Sequence, residues 1–222
     1  MKNLAIFDLD NTLINTDSDH SWPQYLMEKG LVDVEYTREQ NDKFYRDYQQ
    51  GCLDIDEFLA FHLEPLSRYS REELDDMHRE FMQLYILPHI TPMQRMLADS
   101  HRSAGDELLV ISSTNEFIIT PICRHFGIEN IIGTQLETDS DGRFTGRYVG
   151  TPSLKEGKIT RLNEWLAARG ETLESYGKSY FYSDSKNDLP LLRVVSDPVA
   201  VNPDEVLLAE ARILNWPVLN FK

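Results

Sequence analysis

Basic residues are scarce in this chain. Its 222 residues carry 22 lysines and arginines against 37 aspartates and glutamates, a net charge of −15. A surface of that sign argues against nucleic acid or an anionic membrane as partner, because both are bound through clustered Lys and Arg. Cysteine is nearly absent. Cys52 and Cys123 are the only two and lack metal-ligand spacing, so both are read as reduced and structural. Long apolar runs are missing as well: nothing approaches the roughly 18 residues of a membrane span. Asp8 and Asp10 fall where a secretory signal needs an unbroken apolar stretch. With no internal repeat, low-complexity tract or Gly/Ser linker, the chain reads as a soluble cytosolic protein. It is long enough for one large domain or for a core with a smaller companion.

What is present is an apolar run that stops at two acids. Leu4-Ala5-Ile6-Phe7 reads as a strand buried on both faces, as in a parallel sheet covered by helices, and Asp8-Leu9-Asp10-Asn11-Thr12 follows it. Ligands of open α/β sheets bind beyond the carboxyl ends of the strands, where these acids sit. Two carboxylates so close repel one another and resist desolvation, which calls for a cation or a shared proton.

After the polar segment Asn15 to Pro23 come some seventy residues of helical character. Thr37 with Gln40, Asp54 with Glu57 and Ser70 with Glu73 read as helix starts. Leu74, Met77, Phe81 and Leu84 recur at helical spacing, and the aromatic stripe Phe44, Tyr45 and Tyr48 reads as core. Residues 15–88 are therefore expected to form a helical domain inserted into a core made of 1–14 and 89–222. In that core, Thr91-Pro92 opens a helix that ends near Gly105. Leu108–Ile111 is a second buried strand, ending at Ser112-Ser113-Thr114-Asn115. Phe117 to Phe126 is a helix, Ile131-Ile132 a brief strand, and Gln135–Thr138 with Phe144–Val149 a hairpin lying against the main fold. Lys155 to Arg169 is amphipathic, and Tyr180-Phe181-Tyr182 is a third central strand before Asp184-Ser185-Lys186-Asn187-Asp188. A short helix, a strand at 199–201, a helix after Asn202-Pro203-Asp204 and an edge strand within 216–221 complete an α/β pattern with a doubly wound, Rossmann-like parallel sheet.

Three buried strands thus each end in polar or acidic residues: Asp8 and Asp10, Ser112 and Ser113, Asp184 and Asp188. Parallel neighbours would gather them on one sheet edge, within reach of Lys158. Four carboxylates held together without a cation would cost several kcal/mol. Mg²⁺ removes the difficulty, since it prefers carboxylate, carbonyl and water oxygens and keeps positions for phosphate.

At these residues the chain resembles the haloacid dehalogenase superfamily of phosphohydrolases. Asp8-Leu-Asp10-Asn-Thr12 looks like its first motif, Ser112 its second, Lys158 its third and Asp184 to Asp188 its fourth. The helical insertion resembles the cap of the phosphoserine phosphatase subgroup. The resemblance implies a phosphatase in which Asp8 attacks phosphorus, Asp10 acts as acid and then base, and Lys158 neutralises charge, with Lys155 the alternative cation. An acid at Asp10 favours phosphate over halide, because the dehalogenase branch lacks one there. Mg²⁺ would be held by Asp8, the Asp10 carbonyl and Asp184, with Asp188 reaching it through water. Ser112, Ser113 and backbone N–H groups would bind phosphoryl oxygens, and Asn187 would contact phosphate or shape its turn.

Asp17 stands where the phosphoserine enzymes carry a glutamate facing the substrate amine, while His20 reads as a packing histidine. No equivalent of their carboxylate-binding arginine is evident among Arg38, Arg46, Arg68 and Arg71. That combination disfavours an amino-acid carboxylate and suits an amino alcohol phosphate such as histidinol phosphate, with phosphoserine kept as the other candidate. A phosphotransferase, or a phosphoacceptor signalling module, remains the alternative.

Overall fold

A computed structural model describes residues 1–221 of the chain. In chain order the elements are β1 (Leu4–Phe7), α1 (Ser18–Glu28), α2 (Val34–Gln50), α3 (Ile55–Leu63), α4 (Arg71–Phe81), α5 (Pro92–Ala104), β2 (Glu107–Asn115) and α6 (Glu116–His125). There follow β3 (Asn130–Thr138), β4 (Phe144–Val149), α7 (Glu156–Ala167), β5 (Ser179–Ser183), α8 (Leu189–Leu192), β6 (Asp197–Val201), α9 (Glu205–Leu214) and β7 (Val218–Leu219). The strands form one sheet in the order β4-β3-β2-β1-β5-β6-β7, parallel throughout except at β4. This is the expected α/β, doubly wound sheet. No helix among the described residues is long and apolar enough to cross a membrane.

Strand alternation divides the apolar side chains between two layers. Leu4 and Ile6 of β1 join Leu109, Phe181, Leu162 and Leu207 under α7, α8 and α9. Ala5 and Phe7 face the other way, into a cluster shared with Trp22 and Leu26 of α1, Leu74 and Phe81 of α4, and Phe117 of α6. The insertion therefore packs continuously onto one face of the sheet through buried aromatics such as Trp22, whose ring meets those of Phe81 and Phe117 edge-on.

Local chemistry explains most boundaries. Ser70 and Glu73 close a full capping box at α4, Asp54 caps α3, and Thr91 with Gln94 caps α5 ahead of Pro92. Gly105 ends α5 with φ +79°, a left-handed conformation that glycine adopts without strain.

Elsewhere the structure departs from the sequence expectation. Thr37 lies inside α2, which begins three residues earlier because Asp33 accepts the Tyr36 N–H and is the true N-cap. Leu84 is exposed, because Met82–Ile86 winds as a π-helical turn that slips the apolar period carried by Leu74 and Phe81. Ile131-Ile132 and Gln135–Thr138 are one strand, β3. Its partner β4 extends the sheet as an antiparallel edge instead of lying against the fold, and it packs on α3 and the following 3-10 turn. β2 continues past Ile111 to Asn115, and its register with β3 slips between those two residues.

Candidate active site

The register of the central strands decides what meets at their carboxyl ends. Phe7 lies level with Val110 on one side and Tyr182 on the other, so Asp8 emerges level with Ser183 and one residue short of Ser112. The main chain then turns back at Asn11, held at φ +57°, which asparagine tolerates better than most residues. That turn is closed by the Leu13 and Ile14 N–H groups on the Leu9 carbonyl.

The Lys158 ammonium, at the inner side of the first turn of α7, joins the two distant acidic segments. It donates to Asp8 Oδ1 at 2.9 Å and to the Asp188 carboxylate at 2.8 Å, while the Ser183 hydroxyl donates to the same carboxylate at 2.7 Å. Lys155, the alternative cation, donates instead to the Gly51 carbonyl at the end of α2. Asp10 accepts from the Ser18 N–H at 2.6 Å through one oxygen and from the Thr114 hydroxyl at 2.9 Å through the other. Its side chain is thus fixed from both sides of the cleft. Asp184 faces the same space, with the Thr12 hydroxyl 3.5 Å from its Oδ1.

Electrostatics in this cluster are strained in one direction. Burial raises the Asp8 carboxyl to about 7 against the pull of Lys158, and burial with the neighbouring Asp17 carboxylate raises Asp10 to about 7. Burial, then Asp8 and Asp188, push Asp184 well above the ordinary carboxylate range. Burial also opposes the Lys158 charge, yet Asp188 and Asp8 outweigh it and hold its pKa above that of free lysine. One ammonium serves Asp8, Asp184 and Asp188, so two negative charges stay uncompensated when all three ionise.

Those observations test whether a metal fits. The donors are hard oxygens, the deficit matches a divalent cation, and Asp8 and Asp184 face one cleft. No preformed group of three or more His, Cys, Asp or Glu side chains converges on one point among the described residues. Asp188, expected near the metal, is taken up by Lys158 and Ser183, and Asp10 spends both carboxylate oxygens on Ser18 and Thr114. The carboxylates of Asp8 and Asp184 are therefore the acidic groups at the strand ends left open to such an ion.

A cleft opens above Asp8 between the strand ends and the insertion. Ser113 and Thr114 line it, whereas Ser112 is 1% exposed and accepts the Thr114 N–H. Two successive residues can face one space because the strand is irregular there. Asp17 caps α1 by accepting the His20 N–H at 2.8 Å, and it faces the cleft with Asp19. Asn187 donates to the Tyr48 carbonyl at 3.2 Å, which ties the fourth acidic segment to α2.

Of the aromatic stripe read from sequence as core, Phe44 is buried as expected and also borders the cleft, whereas Tyr45 and Tyr48 are only half-buried and wall it, since α2 crosses above the strand ends. His20 also lines it, with its ring 4.6 Å from that of Tyr45. Sequence reading missed Thr114, Asn41 and His62 as cleft residues. Thr114 was signalled by the run of hydroxyls at the end of β2; a lone histidine on α3 gave no signal.

Comparison with known proteins agrees with this fold. A Neisseria meningitidis protein named histidinol-phosphatase is 78% identical over 222 residues, covering all of both chains. A solved Bordetella pertussis protein of unknown function is 41% identical, covers 99% of this chain and 98% of its own, and superposes with a TM-score of 0.93. A phosphoserine phosphatase solved as a phospho-aspartyl intermediate analogue is 18% identical and shares the fold at a TM-score of 0.70, over 100% of this chain and 94% of that one. The family model for haloacid dehalogenase-like hydrolases matches residues 5–193, and the chain belongs to that family.

Proposed function

We propose that the protein is a Mg²⁺-dependent phosphomonoesterase that hydrolyses a small amino alcohol phosphate, histidinol phosphate, through an aspartyl-phosphate on Asp8. Residues 15–88 act as the cap over a core of 1–14 and 89–222. The observation that carries the reading is the charge of the cleft: Asp8, Asp10, Asp17, Asp19 and Asp184 line it, and no lysine or arginine does. A leaving group with a protonated amine suits such walls, whereas a substrate carboxylate would meet repulsion. Arg68 is paired with Glu64, and Arg71 packs over the Phe144 ring. The name of the 78% identical relative supports the same choice.

In this reading Asp8 attacks phosphorus as the bond to the leaving oxygen breaks, and Asp10 gives its proton to that oxygen. The alcohol departs. Asp10 then takes a proton from water, whose oxygen attacks phosphorus, so the acyl-phosphate bond breaks and inorganic phosphate leaves. A carboxyl pushed up to about 7 suits both halves of that cycle near neutral pH. Lys158 holds Asp8 in place and offsets charge on the phosphoryl group. Ser113, Thr114 and the N–H groups of the irregular end of β2 supply donors to its oxygens. Asp17 takes the amine, and Asn187 holds the cap end of α2 over the site. Mg²⁺, held by Asp8, Asp184 and the Asp10 carbonyl, would neutralise the transferring phosphoryl oxygens. A cytoplasmic location goes with this reading, supported by two unpaired cysteines.

The test is phosphate release from histidinol phosphate, phosphoserine, phosphocholine and a sugar phosphate, with and without Mg²⁺. Turnover of histidinol phosphate well above the others, and only with Mg²⁺, is expected. Preference for phosphoserine, or turnover without any divalent cation, would overturn the reading.

A further inference from the structure

Two polar side chains in the cleft have no use in the phosphoryl chemistry. His62 of α3 is 3% exposed, and neither ring nitrogen has a hydrogen-bond partner. Asp19 of α1 is 9% exposed, and its Oδ1 is likewise unpartnered. The two approach each other, His62 Nδ1 to Asp19 Oδ1, at 3.4 Å without hydrogen-bonding geometry. Buried polar atoms are rarely left unmade in a folded protein, because water has been removed without replacement. Both residues line the cleft, where a ligand can reach them.

The hydrogen-bonding capacity of the pair has a definite sign. A carboxylate only accepts, and its proximity to Nδ1 favours the tautomer with the proton there, which leaves Nε2 as an acceptor too. With the Nδ1 proton turned toward Asp19, the valences left open to a ligand are acceptors, Asp19 Oδ1 and His62 Nε2, and they suit N–H donors. Around them the walls are flat and aromatic: the Phe58 ring lies 4.1 Å from that of His62, and Phe44 and Tyr45 complete the slot. A planar, apolar-faced group with N–H at its edge satisfies both the walls and the acceptors.

We propose that Asp19 and His62 form a specificity subsite that accepts N–H donors from a nitrogen-containing ring on the leaving group. The proposal takes its leaving-group frame from the phosphatase reading but concerns a different part of the substrate from the amine at Asp17. A leaving group of the same shape with no ring N–H would bury these acceptors without partners, and discrimination follows from that penalty.

Calorimetric titration with L-histidinol and with L-phenylalaninol isolates the subsite, since both carry the amino alcohol and only the first carries ring nitrogen. Wild-type protein should bind histidinol at least about 10-fold more tightly, as one lost buried hydrogen bond implies. In His62→Phe and Asp19→Ala that preference should fall below about 3-fold, with phenylalaninol binding little changed. Melting temperatures recorded alongside show whether each variant folds. If His62→Phe does not, Asp19→Ala carries the test. Absence of the preference in wild type, its survival in a folded variant, or equal weakening toward both alcohols would overturn the subsite. Wild type that prefers histidinol yet fails to hydrolyse its phosphate ester would overturn the proposed substrate and leave the subsite standing.

Discussion

Lys158 Nζ lies 2.9 Å from Asp8 Oδ1, joining residues 150 positions apart in a site where both are almost wholly buried. The same nitrogen holds Asp188, so one cation keeps two desolvated carboxylates together. Lys158→Met removes it while keeping much of its length. The variant should lose on the order of 10²–10³ in kcat, as for one lost charge-stabilising donor. It should also lose about 3–5 kcal/mol of stability, because a buried charge stripped of its partner is costly. Steady-state phosphate release and urea unfolding at neutral pH check the two halves. A variant as active as wild type would remove Lys158 from the mechanism.

Asp8→Asn separates chemistry from folding. The amide is nearly isosteric but cannot form the phosphorylated intermediate, so turnover should drop by roughly 10⁴ or more. Because burial already disfavours the charged form of Asp8, its melting temperature should hold or rise. Retention of phosphate release in the folded variant would place the nucleophile elsewhere.

How far the site was legible in the sequence depended on whether a residue's partners lay in a readable pattern. Asp8 and Asp10 stood at the end of an uninterrupted apolar strand, their mutual repulsion called for a cation or a shared proton, and the acids after the third strand made a cation the simpler answer. Lys158 could be preferred to Lys155 because it borders the apolar face of α7; the structure ties Lys155 to Gly51. Ser112 was the serine singled out from sequence, yet it is buried, since the slip in β2 register that turns Ser113 and Thr114 into the cleft leaves no mark in composition. Tyr45 and Tyr48 have the spacing of core residues, and only the crossing of α2 over the strand ends makes them a wall. His62 depends wholly on tertiary placement. The fold was more legible than the cleft because alternation and capping are local, whereas the insertion's face toward the sheet is set by long-range packing.

Gly157 shows how Lys158 is seated. A β-carbon there would run into the Pro152 carbonyl, backbone that cannot simply rotate away. Gly157→Ala must therefore shift the start of α7, and Lys158 with it. A stability loss of about 1–3 kcal/mol, typical of overpacking, should accompany a fall in kcat larger than any change in KM. Gly170→Ala, at a site with no atoms nearby but φ +69°, is the control: it costs stability through backbone strain without touching activity.

Metal and pH should act on stability through the same carboxylates. Asp8, Asp10 and Asp17 are each raised from 3.8 to about 7, chiefly by burial. In metal-free protein the folded state therefore holds protons between about pH 4 and 7 that the unfolded chain has released. Stability must fall as pH rises through that window and level off above it. For these mutually interacting acids the total is on the order of a few kcal/mol. Mg²⁺ competes with those protons, so its stabilising effect should be small at pH 5 and large at pH 8. Melting curves at both values, with EDTA and with excess Mg²⁺, measure all four states. A metal-free protein more stable at pH 8 than at pH 5, or a Mg²⁺ shift independent of pH, would mean that these acids do not share one desolvated, metal-accepting pocket.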